Sequence, residues 1–204
     1  MRPKLKFYDL AALHADGFCE NVTGDISAAA WTTIAGSPAD GCSHQTTLAS
    51  TANLSGITIT VNGTDAEDRV LTEDIAGPNN NTVTLTAYFK TVTSVSAGAT
   101  LGANTMNVGW TALCYTPTYP TRVYSHGSPN MSVNLGGTTV NYTMQETNDN
   151  IYVNNPAQWH NIPDRDNIAV GTVGEAADGT SGLRISVNSH TTGELYITYS
   201  QPRS

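Results

Sequence analysis

Between residues 57 and 199, apolar and polar side chains repeatedly alternate with a period of two, the signature of strands with one buried face. Ile57, Ile59 and Val61 are separated by Thr58 and Thr60, and Val83, Leu85, Ala87 and Phe89 by Thr84, Thr86 and Tyr88. Met106, Val108 and Trp110 follow the same rule. So do Met131, Val133 and Leu135 and, after Gly136-Gly137, Val140, Tyr142 and Met144. Two alternating runs around Gly-Gly predict a β-hairpin. Leu183, Ile185 and Val187, then "NSHTTGE", then Leu195, Ile197 and Tyr199 predict a second.

No helical period separates these runs, so the expected fold is all-β. Two β-sandwich or jelly-roll-like modules, each of about 100 residues, fit a chain of 204 residues. Residues 1–20 read as an N-terminal arm with a short helical turn around residues 8–15. Residues 21–112 form the first module and residues 131–204 the second. Between them, residues 113–130 carry three prolines in "CYTPTYPTRVYSHGSPN" and read as a linker or crossover. Residues 146–180 form a long polar excursion. Trp31 and Trp110 are expected in or beside the core.

Composition sharpens this picture. Only 13% of residues are charged, so Thr, Ser and Asn must fill the solvent-facing positions, which favours short strands and tight turns. The net charge of −8 argues against a nucleic-acid surface, which needs clustered cations. The few cations are unevenly placed: Arg2, Lys4 and Lys6 crowd the N-terminus, and none of the lysines lies beyond Lys90. They read either as a solvated basic end or as an arm docking on an acidic neighbour. The N-terminal stretch is broken by Asp9, His14 and Asp16, so no export signal is expected, and no apolar run approaches a membrane span.

Candidate chemistry is sparse. Cys19, Cys42 and Cys114 are odd in number and lack CxxC or Cys/His ligand spacing, so neither disulfides nor zinc is expected. Asp65, Glu67, Asp68, Glu73 and Asp74 lack the glycine of a calcium loop and read as a turn with solvated carboxylates. His14, His44, His126, His160 and His190 are scattered in polar settings and read as surface residues. No serine lies in G-x-S-x-G, and "GGTTVNY" is no phosphate cradle. No catalytic, cofactor-binding or metal-binding residue and no cofactor is expected. Asn21, Asn62 and Asn141 fit the glycosylation acceptor pattern by chance. Trp159, with His160 beside it, is the one loop aromatic that reads as a cap on the fold, an intersubunit contact or a sugar platform.

Two stretches carry a resemblance. "GITITVNGTDAEDRVLTEDIAGPNNNTVTLTAYFKTVTSVS" (56–96) is similar to sequences pairing an "ITxTGTDADG…TETIxGP" hairpin with a "YFKTVTSV" strand. Within residues 131–201, "VNYTMQETNDN", "QWHNIPD" and "LRISVNSHTTGELYITYSQ" resemble "VNYTVxxTxD", a Trp-containing loop and a closing "VRLxVxSGTGxVTLTVxQ" hairpin. Both belong to tailed-phage (podovirus-like) virion structural proteins. The chain departs at "AEDR", where the family's turn glycine is absent, and its first 50 residues have no counterpart. The resemblance implies a non-enzymatic virion component assembled in the host cytoplasm, with a capsid decoration (cement) protein as the leading expectation. Its partners would be the major capsid protein or neighbouring virion subunits. A symmetric homo-oligomer is expected, a trimer before others, with neither nucleic acid nor membrane as partner. Arg2, Lys4, Lys6, Trp159 and His160 are the expected interface residues. A tail or head–tail connector component and a receptor- or carbohydrate-binding module are the alternatives.

Overall fold

The computed structural model describes residues 3–121, 128–136, 139–152, 157–177, 179–191 and 193–201. Arg2, His126, Gly137 and Thr192, and with them parts of both expected Gly-containing turns, lie outside the described residues. Among the described residues the fold is all-β, with no helix. In chain order the strands are β1 (Lys4–Asp9), β2 (His14–Val22), β3 (Ser43–Asn53), β4 (Thr58–Thr64) and β5 (Val70–Ala76). Then follow β6 (Asn79–Phe89), β7 (Thr91–Ala97), β8 (Met106–Tyr115), β9 (Tyr119–Pro120) and β10 (Asn130–Gly136). The last five are β11 (Val140–Thr147), β12 (His160–Asn161), β13 (Thr172–Glu175), β14 (Gly182–His190) and β15 (Glu194–Ser200).

The chain divides into two units: a central one, Ala12–Cys114, and a terminal one built from both chain ends, Met1–Ala11 with Tyr115–Ser204. In the central unit β4 is flanked by antiparallel β5 and β7, while β3 lies between β8 and β6 and β2 pairs with β8. The alternating residues converge as expected: Ile59, Val61, Leu85, Phe89, Met106, Val108 and Trp110 share one core with Phe18, Leu48, Leu54 and Val95. Trp31 packs against that core through a bridge to Val95. At Gly109 in β8, any Cβ would run into the backbone of His14 and Ala15, so glycine is what lets β2 lie against β8. The β4–β5 turn closes without glycine because Asp68 adopts the left-handed conformation (φ 61°), which short polar residues tolerate.

In the terminal unit one sheet runs β1-β15-β10-β13, and β14 carries β11 and β9, with β12 on the far side of β11. Three expectations are corrected here. Residues 4–9 are no free arm: β1 is hydrogen-bonded to β15 from Lys4↔Tyr199 to Asp9↔Glu194. No helical turn forms at residues 8–15, which leave β1 and enter β2. Neither expected hairpin forms. β10 pairs with β13 and β15, β11 with β12 and β14, so at each turn the chain changes sheets instead of folding back on its own edge. The alternation is the same in both arrangements, because it records which face is buried and not which strand lies alongside. Met131, Val133, Ile197 and Tyr199 turn inward from one sheet and Tyr142, Met144, Ile185 and Val187 from the other, all buried.

Candidate functional site

The register of the β1-β15-β10-β13 sheet places Leu5 and Phe7 beside Thr198 and Tyr196, then Ser132 and Asn134, then Val173 opposite Ser132. These side chains share the outer face, since directly paired residues point the same way. Leu5 is 65% exposed, Val173 53% and Phe7 50%. Phe7 and Tyr196 meet with ring centroids 5.1 Å apart. The Tyr196 hydroxyl donates to Glu194 Oε2 at 2.8 Å, and that carboxylate pushes the phenol pKa up. This face combines apolar side chains with hydroxyl and amide groups and carries the carboxylates of Asp9, Glu194 and Glu175 toward its ends, the mixed composition of a wet contact surface. The pattern of exposure could not be read from the sequence, where Leu5 and Phe7 look like part of a basic arm.

Lys4 and Lys6 lie on the opposite side of β1 from Phe7. The Lys4 ammonium stands 5.7 Å from the Tyr119 ring, which stacks on Tyr199 at 4.1 Å between centroids. Lys4 is exposed, but its backbone is paired into β1 and its ammonium lies beside a ring of β9. Trp159 is half-buried, with the Arg184 guanidinium 4.1 Å from its ring centroid and 3.9 Å from that of Tyr115. Arg184 is further anchored through Nε to Gln145 Oε1 at 2.8 Å. One face of the indole is therefore occupied by a cation, which removes that face as a sugar platform. His160 is exposed on β12, opposite Glu146.

The acidic turn keeps Asp68 and Asp74 exposed as expected, but Asp65, Glu67 and Glu73 are bound up with the protein's own donors. Asp65 accepts from the Glu67 and Arg69 backbone N–H, each at 2.9 Å, and pairs with Arg69 Nε at 2.9 Å. Arg69 also reaches Glu67 at 2.8 Å, and Lys90 reaches Asp68 at 2.7 Å. Glu73 bridges to β6 by accepting from the Thr86 N–H and hydroxyl and from the Ala87 N–H. A shallow polar depression elsewhere in the central unit is lined by Asn21, Ser50, Asn81, Thr82, Thr105 and Asn107, with no aromatic side chain on which a sugar could stack.

The sequence reading missed a buried polar cluster around His44. Histidine at this position is fully buried, not a surface residue, and His190 is also buried. The cluster starts at a turn: Gly41 sits at φ 74°, and Asp40 Oδ1 folds back to accept the Cys42 N–H at 2.9 Å. The other oxygen, Oδ2, lies 2.8 Å from His44 Nε2, and both side chains are fully buried. His44 Nδ1 lies 2.9 Å from the Thr111 carbonyl, which can only accept, so Nδ1 carries a proton. From β8, Cys114 brings its sulfur in: one ligand atom each from Asp40, His44 and Cys114 lies within 4.8 Å of the others. The neighbouring Cys114 thiol, burial and the Asp40 carboxylate hold the Cys42 thiol well above the usual thiol range. Reactive thiols are partly exposed and have lowered pKa values, so Cys42 is no nucleophile here. The available signal was Asp40-x-Cys42-x-His44, three ligand-type residues at alternate positions, but Cys114 is too distant in sequence to be added by spacing.

Comparison of the chain with protein-family models, with curated proteins and with solved structures found no match.

Proposed function

We propose that this chain is a non-enzymatic virion structural protein, a decoration protein that docks on the assembled shell of a tailed phage. The observation that carries this reading is the outer face of the β1-β15-β10-β13 sheet, where exposed Leu5, Phe7 and Val173 and half-buried Tyr196 lie among hydroxyl and amide groups. Supporting it are the two segments, 56–96 and 131–201, that resemble virion proteins. Each unit is read as a β-sandwich-like module. Docking would be multivalent: a modest face repeated by the symmetry of the shell gains avidity that one copy lacks. The partner is a neighbouring virion subunit with a complementary weakly charged surface, and the chain's few charges leave little for long-range steering.

Quantitative mass spectrometry of purified particles tests the reading. On the order of hundreds of copies per particle is the expected result, about six to twelve would move the chain to the tail or connector, and absence would end the virion reading.

A further inference from the structure

We infer that Asp40, Cys42, His44 and Cys114 form a structural zinc site inside the central unit. The inference is independent of the virion reading. Four observations carry it. The side chains are of the types zinc takes: one carboxylate, one imidazole and two thiols. Donor atoms of Asp40, His44 and Cys114 already lie within 4.8 Å of one another, and the fourth, Cys42 Sγ, lies outside that set but is buried beside it, two residues from both Asp40 and His44. A tetrahedral ion with bonds of about 2.0–2.3 Å needs its donors about 3.3–3.8 Å apart. The 2.8 Å contact between His44 and Asp40 would therefore have to open by only about half an ångström.

The remaining support comes from orientation and burial. His44 Nδ1 donates to the Thr111 carbonyl, which fixes the ring and leaves Nε2 pointing at the cluster. A backbone carbonyl on the far nitrogen is the usual partner of a zinc-bound histidine. The Asp40 and His44 side chains and both cysteines have no solvent exposure. Bringing a carboxylate, an imidazole and two thiols into one buried space is costly for an apolar core, and an ion that binds all four offsets that cost. The local sequence builds the site economically: Asp40 at the turn, Cys42 and His44 entering β3, and Cys114 ending the central unit on β8.

The balance of the step is simple. Zn²⁺ displaces both thiol protons and the proton shared by His44 Nε2 and Asp40 Oδ2, so three protons leave and a site of charge −1 remains. The site is closed, so the ion enters during folding, as in other structural zinc sites.

The test is metal analysis of the intact purified chain, by native mass spectrometry and elemental analysis, after refolding with Zn²⁺ or Co²⁺. The expected result is one ion per chain, retained against chelator while the protein is folded and released on denaturation. The cobalt form should show the thiolate charge-transfer band and ligand-field bands of a tetrahedral site. Cys114→Ser and His44→Gln should lose the ion, whereas Cys19→Ala, which removes the remaining thiol, should keep it. Should the Cys114 or His44 variants fail to fold, the wild-type unfolding midpoint with and without Zn²⁺ decides, with a shift to higher denaturant expected. A metal-free folded chain with three alkylatable thiols would overturn the inference. So would a chain two hydrogen masses lighter, with Cys42 and Cys114 joined as a disulfide.

Discussion

Individual side chains here are held by specific local partners, and two of them have measurable consequences. Burial pushes the Cys19 thiol from an ordinary 9.0 up to about 11, and the Tyr142 phenol, whose hydroxyl donates to the Val170 carbonyl at 2.7 Å, up to about 12. With the folded value raised, the unfolded chain loses its proton first. The stability is fully present below pH 9 and is lost as pH rises from 9 through 11, by roughly 2–3 kcal/mol for Cys19 at full extent. Thermal unfolding followed from pH 7 to pH 11 should show a fall in Tm that begins near pH 9, with a shallower slope in Cys19→Ala. Arg184 is the second case. Its guanidinium lies on both Trp159 and Tyr115, so Arg184→Ala should cost about 1–3 kcal/mol and raise the solvent exposure of Trp159, read by fluorescence quenching. Unchanged quenching would show that the guanidinium does not cover the indole.

At the scale of strands, close approach matters as much as pairing. A methyl at Gly109 would strike the His14 and Ala15 backbone, which cannot swing away as a side chain can. Gly109→Ala should therefore destabilise the chain by about 2–4 kcal/mol in denaturant unfolding, with the amides of β2 losing hydrogen-exchange protection first. How far this level was legible in the sequence depends on what period two can carry. Ile59, Val61, Leu85, Phe89, Met131 and Ile197 were read as inward-facing, and they are buried. Their pairing was not legible, because Val133 and Tyr142 flank Gly136-Gly137 in sequence yet lie in different sheets. β1 is hidden for a different reason: its alternation covers only Lys4–Phe7, the apolar Leu5 and Phe7 face outward, and its partner β15 lies at the other end of the chain. The buried cluster was half visible. Asp40, Cys42 and His44 stand at alternate positions, but only the passage of β8 beside β3 adds Cys114.

For the molecule as a whole, the proposed docking rests on three exposed apolar side chains of one sheet face, Leu5, Phe7 and Val173. Two readings of the N-terminal segment make opposite demands on its residues. A basic arm would act through Lys4 and Lys6, whereas the sheet face acts through Leu5 and Phe7, on the other side of the same strand, and Val173 on β13. Both sets of side chains are exposed, so substitutions should change the stability by no more than about 0.5 kcal/mol. The most direct measurement is co-sedimentation of the purified chain with particles that lack it. Saturable binding is expected for wild type and for the Lys4→Ala/Lys6→Ala variant, with at least a tenfold loss (about 1.4 kcal/mol per docked copy) for Phe7→Asp/Val173→Asp at unchanged Tm. Failure of the folded wild-type chain to bind, or full binding by the Phe7/Val173 variant, would contradict docking through this face.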